Sequence, residues 1–156
     1  MLHLVQAGTE EDYDRARTLF QEYADWLGFH LCFQNFDQEL QALAEQYGPP
    51  TGALILAYDD RQLIGCVGVR QWDTSESTAE LKRMYIREAY RGLGLGRRLL
   101  HAAIASARKL SYHRIVLDTL PRMEAAIALY REAGFKPIPP YYHNPFENVI
   151  YLELRW

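Results

Sequence analysis

Residues 79–100, reading AELKRMYIREAYRGLGLGRRLL, carry most of the chemically useful side chains of this chain. Arg91 precedes three alternate glycines, Gly92, Gly94 and Gly96, and two more arginines follow at Arg97 and Arg98. Downstream, Leu95, Leu99, Leu100, Ala103, Ile104, Ala107 and Leu110 recur at helical spacing. A helix that opens on glycines leaves its first N–H groups without partners, and its dipole places about half a positive charge there. Glycines add room for a ligand and backbone angles that side chains forbid. An anion, above all a phosphate, suits such a mouth. On spacing alone the stretch fits either an anion cradle or a helix that merely starts after a glycine-rich loop.

The kind of phosphate is constrained by what is missing. A nucleoside-triphosphate loop needs Gly-Lys followed by Ser or Thr, and none follows here. A dinucleotide fingerprint needs a third glycine where Arg97 stands, although Asp118 supplies an acidic residue at the end of the next predicted strand. A nucleotide binder therefore stays open as an alternative. The strand before the glycines is unusual too. A central strand covered on both faces is nearly all apolar, and glutamate is a poor strand former. Ala79–Ile86 nevertheless holds Glu80, Lys82 and Arg83, so it either lies at an edge or lines a wet site.

The elements that would position these residues can be taken in order. Leu2–Gln6 reads as a strand. Thr9 with Asp12 is a capping signal for a helix carrying Tyr13, Ala16, Leu19, Phe20, Tyr23, Trp26 and Leu27, ended by Gly28. Phe29–Phe36 is aromatic and irregular, and Asp37–Tyr47 predicts a second helix stopped by Gly48-Pro49-Pro50. Ala53–Tyr58 and Gln62–Gln71 form a hairpin, Asp73–Ser77 is a polar loop, and Ala79–Ile86 follows. Arg87–Arg91 is a basic turn into the glycine-loop helix. Arg114–Asp118 is the next strand. Pro121 opens a helix with Met123, Ala126, Ile127, Tyr130 and Ala133 inward, ended by Gly134. Phe135–Ile138 and Val149–Leu154 close the chain with a proline-rich loop between them. A hairpin followed by strand–helix–strand–helix–strand implies an α/β (α+β) fold, a mixed sheet with helices on both faces.

Composition excludes several classes. A chain of 156 residues suggests one domain, 1–156, that buries about 70% of its unfolded surface without staples. A net charge of −3 argues against nucleic acid as the partner. Cys32 and Cys66 lack any CxxC spacing and read as free thiols of a reducing cytoplasm. The five histidines show no metal-ligand spacing, so no metal is expected. No apolar run reaches the roughly 20 residues of a membrane span, and the N-terminus does not read as a signal peptide.

Arg91, Gly94 and Gly96 fit the pattern Gln/Arg-x-x-Gly-x-Gly/Ala, and with this element order the chain resembles the GNAT N-acetyltransferase superfamily over nearly its whole length. The likeness is strongest from Ala79 to Phe135. It implies a mostly antiparallel sheet of about seven strands and acetyl-CoA (coenzyme A) as co-substrate. It implies that Arg91, Gly92, Leu93, Gly94, Leu95, Gly96 and Arg97 hold the pyrophosphate. The strand at Met84, Tyr85 and Ile86 would splay from its neighbour and bind the pantetheine arm through main-chain groups. Glu80 stands where some members carry a general base. The chemistry needs one, because an ammonium of pKa about 10 has no lone pair and deprotonating it at neutral pH costs roughly 4 kcal/mol. Tyr130, four residues before Gly134-Phe135, would face the sulfur and assist its departure. The family often carries Asn where Met123 stands, so that contact is lost or replaced.

The activity implied is acetyl transfer directly from the thioester to a primary amine of a small molecule or peptide. Neither cysteine has a partnering base in a recognisable motif, so no covalent enzyme intermediate is expected. The alternative is a non-catalytic acyl-CoA sensor of the same fold. Trp26, Phe29, His30 and Phe33 with Tyr141, Tyr142, His143 and Asn144 would frame the acceptor, and Arg83 could pair with an acceptor carboxylate. The aromatic late loop and the C-terminal strand ending in Trp156 could serve a homodimer contact.

Overall fold

The computed structural model describes residues 1–28, 35–73 and 77–156. Strand β1 (Leu2–Gln6) leads into helix α1 (Glu10–Leu27), then α2 (Phe36–Gln41) and α3 (Leu43–Tyr47). Strands β2 (Ala53–Asp59), β3 (Gln62–Asp73) and β4 (Thr78–Ile86) follow. A 3-10 turn, Glu88–Tyr90, precedes α4 (Leu95–Lys109), β5 (Arg114–Thr119), α5 (Glu124–Glu132), β6 (Lys136–Pro137) and β7 (Ile150–Arg155). The seven strands form one sheet in the order β1-β2-β3-β4-β5-β7-β6, antiparallel throughout except between β4 and β5. The expected mixed, mostly antiparallel sheet is thus observed. A dinucleotide fold with its parallel sheet is not, and that alternative falls with the topology.

Two apolar layers sandwich the sheet. Leu95, Leu99, Leu100, Ala103 and Ala107 of α4, with Tyr130 of α5, pack on Ile55, Val67, Val69, Ala79, Leu81, Ile115 and Leu117. On the other face, Tyr13, Ala16, Leu19 and Phe20 of α1 join Phe36, Leu40, Leu43 and Tyr47 over Leu54, Leu56 and Cys66. Helix α1 begins with the predicted capping box, Asp12 N–H donating to Thr9 Oγ1 (3.1 Å) and Thr9 N–H to Asp12 Oδ2 (3.2 Å). It ends at Gly28 in the left-handed region, φ +80°.

Three sequence expectations are corrected. The single helix over Asp37–Tyr47 is two helices, broken at Ala42 (φ −126°, ψ 34°). The Leu40 carbonyl, which should serve the next turn, instead accepts from Arg17 Nε at 2.7 Å. The strand expected over Phe135–Ile138 begins one residue late, at Lys136, because the Phe135 N–H closes the end of α5 onto the Tyr130 carbonyl (3.0 Å), while the Ile138 N–H still donates to the Tyr151 carbonyl of β7 at 2.9 Å. The charged strand is not an edge: β4 lies in mid-sheet, with Glu80, Lys82 and Arg83 buried and only its end, Met84–Ile86, partly exposed.

The feature that shapes the molecule is a break in β4. One residue, Val67, separates Cys66 from Gly68 on β3, whereas Arg83 and Met84 lie between their partners, Tyr85 and Lys82. Arg83 is the extra residue of this bulge and takes a left-handed φ of +58°. Its carbonyl accepts from the Cys66 thiol at 3.3 Å. Its guanidinium donates twice to Glu39, Nε to Oε2 at 3.0 Å and Nη2 to Oε1 at 2.9 Å. Tyr47 donates to the same carboxylate at 3.1 Å. The Tyr47 ring lies so close to Gly68 that a Cβ there would stand 2.6 Å from it.

Burial by itself would push the Glu39 carboxyl up, but Arg83, with Arg70 and Lys82 behind it, outweighs burial and holds it below its ordinary value. A lowered carboxyl stabilises the fold fully above the ordinary glutamate value of 4.5, and that contribution is lost as pH falls through the lower folded value. We therefore expect Glu39→Ala, which strands a buried guanidinium, to cost about 3–5 kcal/mol in chemical denaturation at pH 7. The cost should shrink toward pH 3, measured as the difference between variant and parent.

Candidate active site

The parallel ladder between β4 and β5 is short. It runs through Thr78–Arg114, Ala79–Ile115 and Glu80–Val116 and then stops, while β4 continues to Ile86 and β5 to Thr119. The two strands therefore form a fork whose crotch is Glu80. Bulged Arg83 follows on β4, three positions beyond Glu80, the last residue that pairs with β5. Main-chain groups of Met84, Tyr85 and Ile86 lie beyond the last β5 pair, as the expected splay requires.

On the α1–α3 face of the fork sits a buried polar cluster. Glu80 is 1% exposed. Its Oε1 accepts from Arg70 Nε (3.0 Å) and Nη2 (2.9 Å), and its Oε2 accepts from the Tyr141 hydroxyl at 2.7 Å. Lys82 Nζ stands 3.8 Å from both Glu80 and Asp118. Asp118 Oδ2 accepts from the Tyr142 hydroxyl (2.6 Å) and, at 3.4 Å, from Asn144 Nδ2. Glu39, Glu80 and Asp118 are thus balanced by Arg70, Lys82 and Arg83. Burial pulls the Lys82 ammonium down, and Glu80 and Asp118 act against that pull. Arg83 is already committed to Glu39, which removes it as a partner for an acceptor carboxylate.

Tyr130 approaches from α5. It is buried, tilted against Phe135 at 5.7 Å, and burial, followed by Tyr23 and Asp118, pushes its phenol well above the ordinary value. It stays a protonated donor. Helix α5 brings it to the fork because Ile127 and Tyr130 share the inward stripe that the sequence spacing marks.

The glycine mouth forms as expected, with a division of labour. Gly92 (φ +81°) and Gly94 (φ +80°) take left-handed angles, and a Cβ on either would meet nothing within 4 Å, so the backbone is open to a ligand. Gly96 is different: it is buried under α5, where a Cβ would stand 2.9 Å from Leu129. Leu95 places its side chain in the core, and Leu93 is 60% exposed. Helix α4 has no side-chain cap, and the Arg98 N–H is the first to reach back, to the Gly94 carbonyl (3.3 Å). The amides of Leu95, Gly96 and Arg97 are thereby left for an anion. Of the arginines here, one is compensated by a carboxylate and another is tied to the main chain. Arg97 pairs with Glu132 at 2.9 Å, and Arg91 donates to the Ile86 carbonyl at 2.8 Å.

Trp26 is not a plain pocket wall. The Arg91 guanidinium lies 4.8 Å from its ring and that of Arg122 5.7 Å, one from the β4 side of the fork and one from the β5 side. Arg122 also donates to the Leu27 carbonyl at 2.6 Å. Tyr141 and Tyr142 line the site as expected, joined by Trp72 at 4.9 and 6.0 Å. Phe29, His30 and Phe33, like Cys32, lie outside the described residues. Sequence reasoning missed Arg70, Glu39 and Trp72. Arg70 had a usable signal, being the cation opposite Glu80 in the hairpin register, but Glu39 lies in a helix whose facing is set only by tertiary packing. Among the described residues, no cluster of His, Cys, Asp and Glu is arranged to hold a metal, and no helix is long and apolar enough to cross a membrane.

Comparison with known proteins agrees with this geometry. The family model described as Acetyltransferase (GNAT) family matches residues 7–135. An uncharacterized N-acetyltransferase of Schizosaccharomyces pombe is 42% identical over 146 residues, covering 93% of this chain and 89% of its own. A GNAT-family acetyltransferase from Staphylococcus aureus superposes with a TM-score of 0.79 at 18% identity over 99% of both chains. One from Elizabethkingia anophelis, solved with acetyl-CoA bound, gives 0.66 at 24% identity over 100% of this chain and 97% of that one.

Cys66 sits on β3 at the bulge, fully buried, and burial pushes its thiol far up. It should resist a thiol reagent at pH 8 for as long as the fold persists. Peptide mapping after labelling in buffer and in denaturant checks this; rapid native labelling of Cys66 would contradict the packing.

Proposed function

The chain belongs to the acetyltransferase (GNAT) family and is an N-acetyltransferase using acetyl-CoA; from this premise we propose direct transfer of the acetyl group to a primary amine of a small molecule or peptide. The fork supports this reading above all. It is a slot flanked by β4 main chain that pairs with β3 but not with β5, with a buried carboxylate at its crotch, a buried phenol at its side and open helix amides at its mouth.

Each residue then has a task. The amides of Gly94, Leu95, Gly96 and Arg97, with Gly92 and Leu93 shaping the approach, hold the diphosphate. The main chain of Met84, Tyr85 and Ile86 aligns the pantetheine, and Arg91 braces the turn through the Ile86 carbonyl. Bound there, the co-substrate supplies an activated acyl carbon at the crotch. A backbone N–H of β4 polarises its carbonyl, which is oxyanion-hole logic. Glu80 receives the proton that frees the amine lone pair. Tyr130 hydrogen-bonds the departing sulfur. A thiol of ordinary pKa about 8.5 is the stronger acid of the two, so the phenol helps by donating a hydrogen bond rather than by full transfer. Holding both reactants in line supplies several kcal/mol more. The chain acts as a single domain, and the loop before β7 with Trp156 offers the surface for a homodimer.

The fit of the mouth to a diphosphate is testable by calorimetry. Acetyl-CoA should bind with one site per chain, and Gly94→Ala, which forces a side chain into a left-handed angle and over the amides, should weaken it at least tenfold. Absence of heat and of thermal shift at millimolar acetyl-CoA would overturn the reading. Thiol release should be followed with n-propylamine, spermidine and glycinamide as acceptors. With the best of them, Glu80→Gln should lower kcat about 100-fold and flatten its rise with pH. Tyr130→Phe should slow turnover while acetyl-CoA affinity stays within about threefold. Binding without thiol release for any amine would favour the sensor alternative.

A further inference from the structure

We infer that Tyr141 is a proton relay, the group that touches the amine and passes its proton to Glu80. The inference deepens the reading above and rests on Glu80 being the base. Glu80 is 1% exposed, so an amine in the slot does not reach its oxygens directly. Both Oε1 contacts are with Arg70, and Lys82 flanks Oε2 at 3.8 Å. The hydroxyl that completes the enclosure is that of Tyr141, 2.7 Å from Oε2, and this residue is itself only partly buried. It therefore joins an enclosed carboxylate to the open side of the fork.

The ring is held for this task. Trp72 meets it edge-on at 4.9 Å, Tyr142 lies at 5.2 Å and Tyr151 at 5.4 Å. The neighbouring Tyr142 hydroxyl is engaged elsewhere, on Asp118. A phenol hydroxyl has one proton to donate and lone pairs to accept with. Its donor side is on Glu80, which leaves its lone pairs for the N–H of an ammonium. In the step, one N–H bond of the ammonium breaks as a bond to Tyr141 Oη forms. The Tyr141 O–H bond breaks as Glu80 Oε2–H forms, and the nitrogen keeps the electron pair that attacks the acyl carbon. The hydroxyl ends neutral, as it began. Burial, then the Glu80 charge, keeps Tyr141 from ionising alone, so it passes a proton on only while receiving another.

The charged and titratable groups facing the pair are Arg70 from β3, Lys82 from β4, Asp118 from β5 and Tyr151 from β7, with Tyr142 beside it and Tyr47 and Glu39 from the helical face. Tyr141→Phe leaves all of these and the ring packing in place. With the best amine of the panel, this variant should lose at least tenfold in kcat and show a flattened rise with pH. Its melting temperature should fall by only several degrees, the cost of one lost hydrogen bond to a buried carboxylate, and its calorimetric acetyl-CoA affinity should stay close to that of the parent. Adding Tyr141→Phe to Glu80→Gln should cost less than threefold more, because both remove one route. Independently of turnover, the Cζ resonance of ring-labelled Tyr141 should move when that amine is added to the protein loaded with coenzyme A, while that of Tyr112 stays still. If Glu80→Gln impairs the enzyme but Tyr141→Phe keeps its rate and pH profile, or the Tyr141 resonance does not move, the relay is wrong and the base stands. If Glu80→Gln is silent, the base reading fails first and the relay with it.

Discussion

A guanidinium and a carboxylate, shut away from water between sheet and helix, govern this structure. Arg83 would have no reason to enter a left-handed conformation in mid-strand without Glu39 to receive it. The pair, steadied by Tyr47 from the next helix, pins an extra residue into β4 three positions beyond its last pair with β5. A continuous ladder would close the slot. The ion pair's value is therefore architectural: its desolvation cost is large, and apolar residues could fill the same space, but they would not hold a bulge at that position.

The remaining charges are arranged around the same face. Arg70 stands across the ladder from Glu80 and touches Glu39 as well, at 3.4 Å, so the bulge lock and the crotch carboxylate share one cation. Lys82 lies midway between Glu80 and Asp118, and the loop before β7 sends down one hydroxyl to each of them. A compensated set of this kind survives in a low-dielectric interior because every member leans on at least one opposite charge. It also makes the loop and the strands interdependent: moving Tyr141 or Tyr142 exposes a carboxylate rather than merely opening a gap.

Much of this was legible in the residues. The glycine mouth, the caps of α1, the inward face of α5 and the hairpin of β2 and β3 follow from local rules, because each depends on neighbours a few positions away. Glu80, Lys82 and Arg83 announced themselves by being charged in a predicted central strand. Their pairing did not, because Glu39 and Tyr141 lie 44 and 61 positions from their partners and no periodicity connects them. The same holds for the broken helix at Ala42, decided by the Arg17 side chain from α1, and for Gly96, whose packing duty under Leu129 is indistinguishable in sequence from a ligand's need for space. Local signals marked where chemistry could happen; long-range contacts decided which groups were left to do it.

The indole of Trp26 is gripped between arginines rooted on opposite lips of the fork, and Tyr23 and Tyr85 stand beside it at 6.3 Å. Any spreading or narrowing of those lips must change the distance from this ring to at least one cation. Its emission, once Trp72 and Trp156 are replaced by Phe so that it is read alone, therefore serves as an optical gauge of the slot's width.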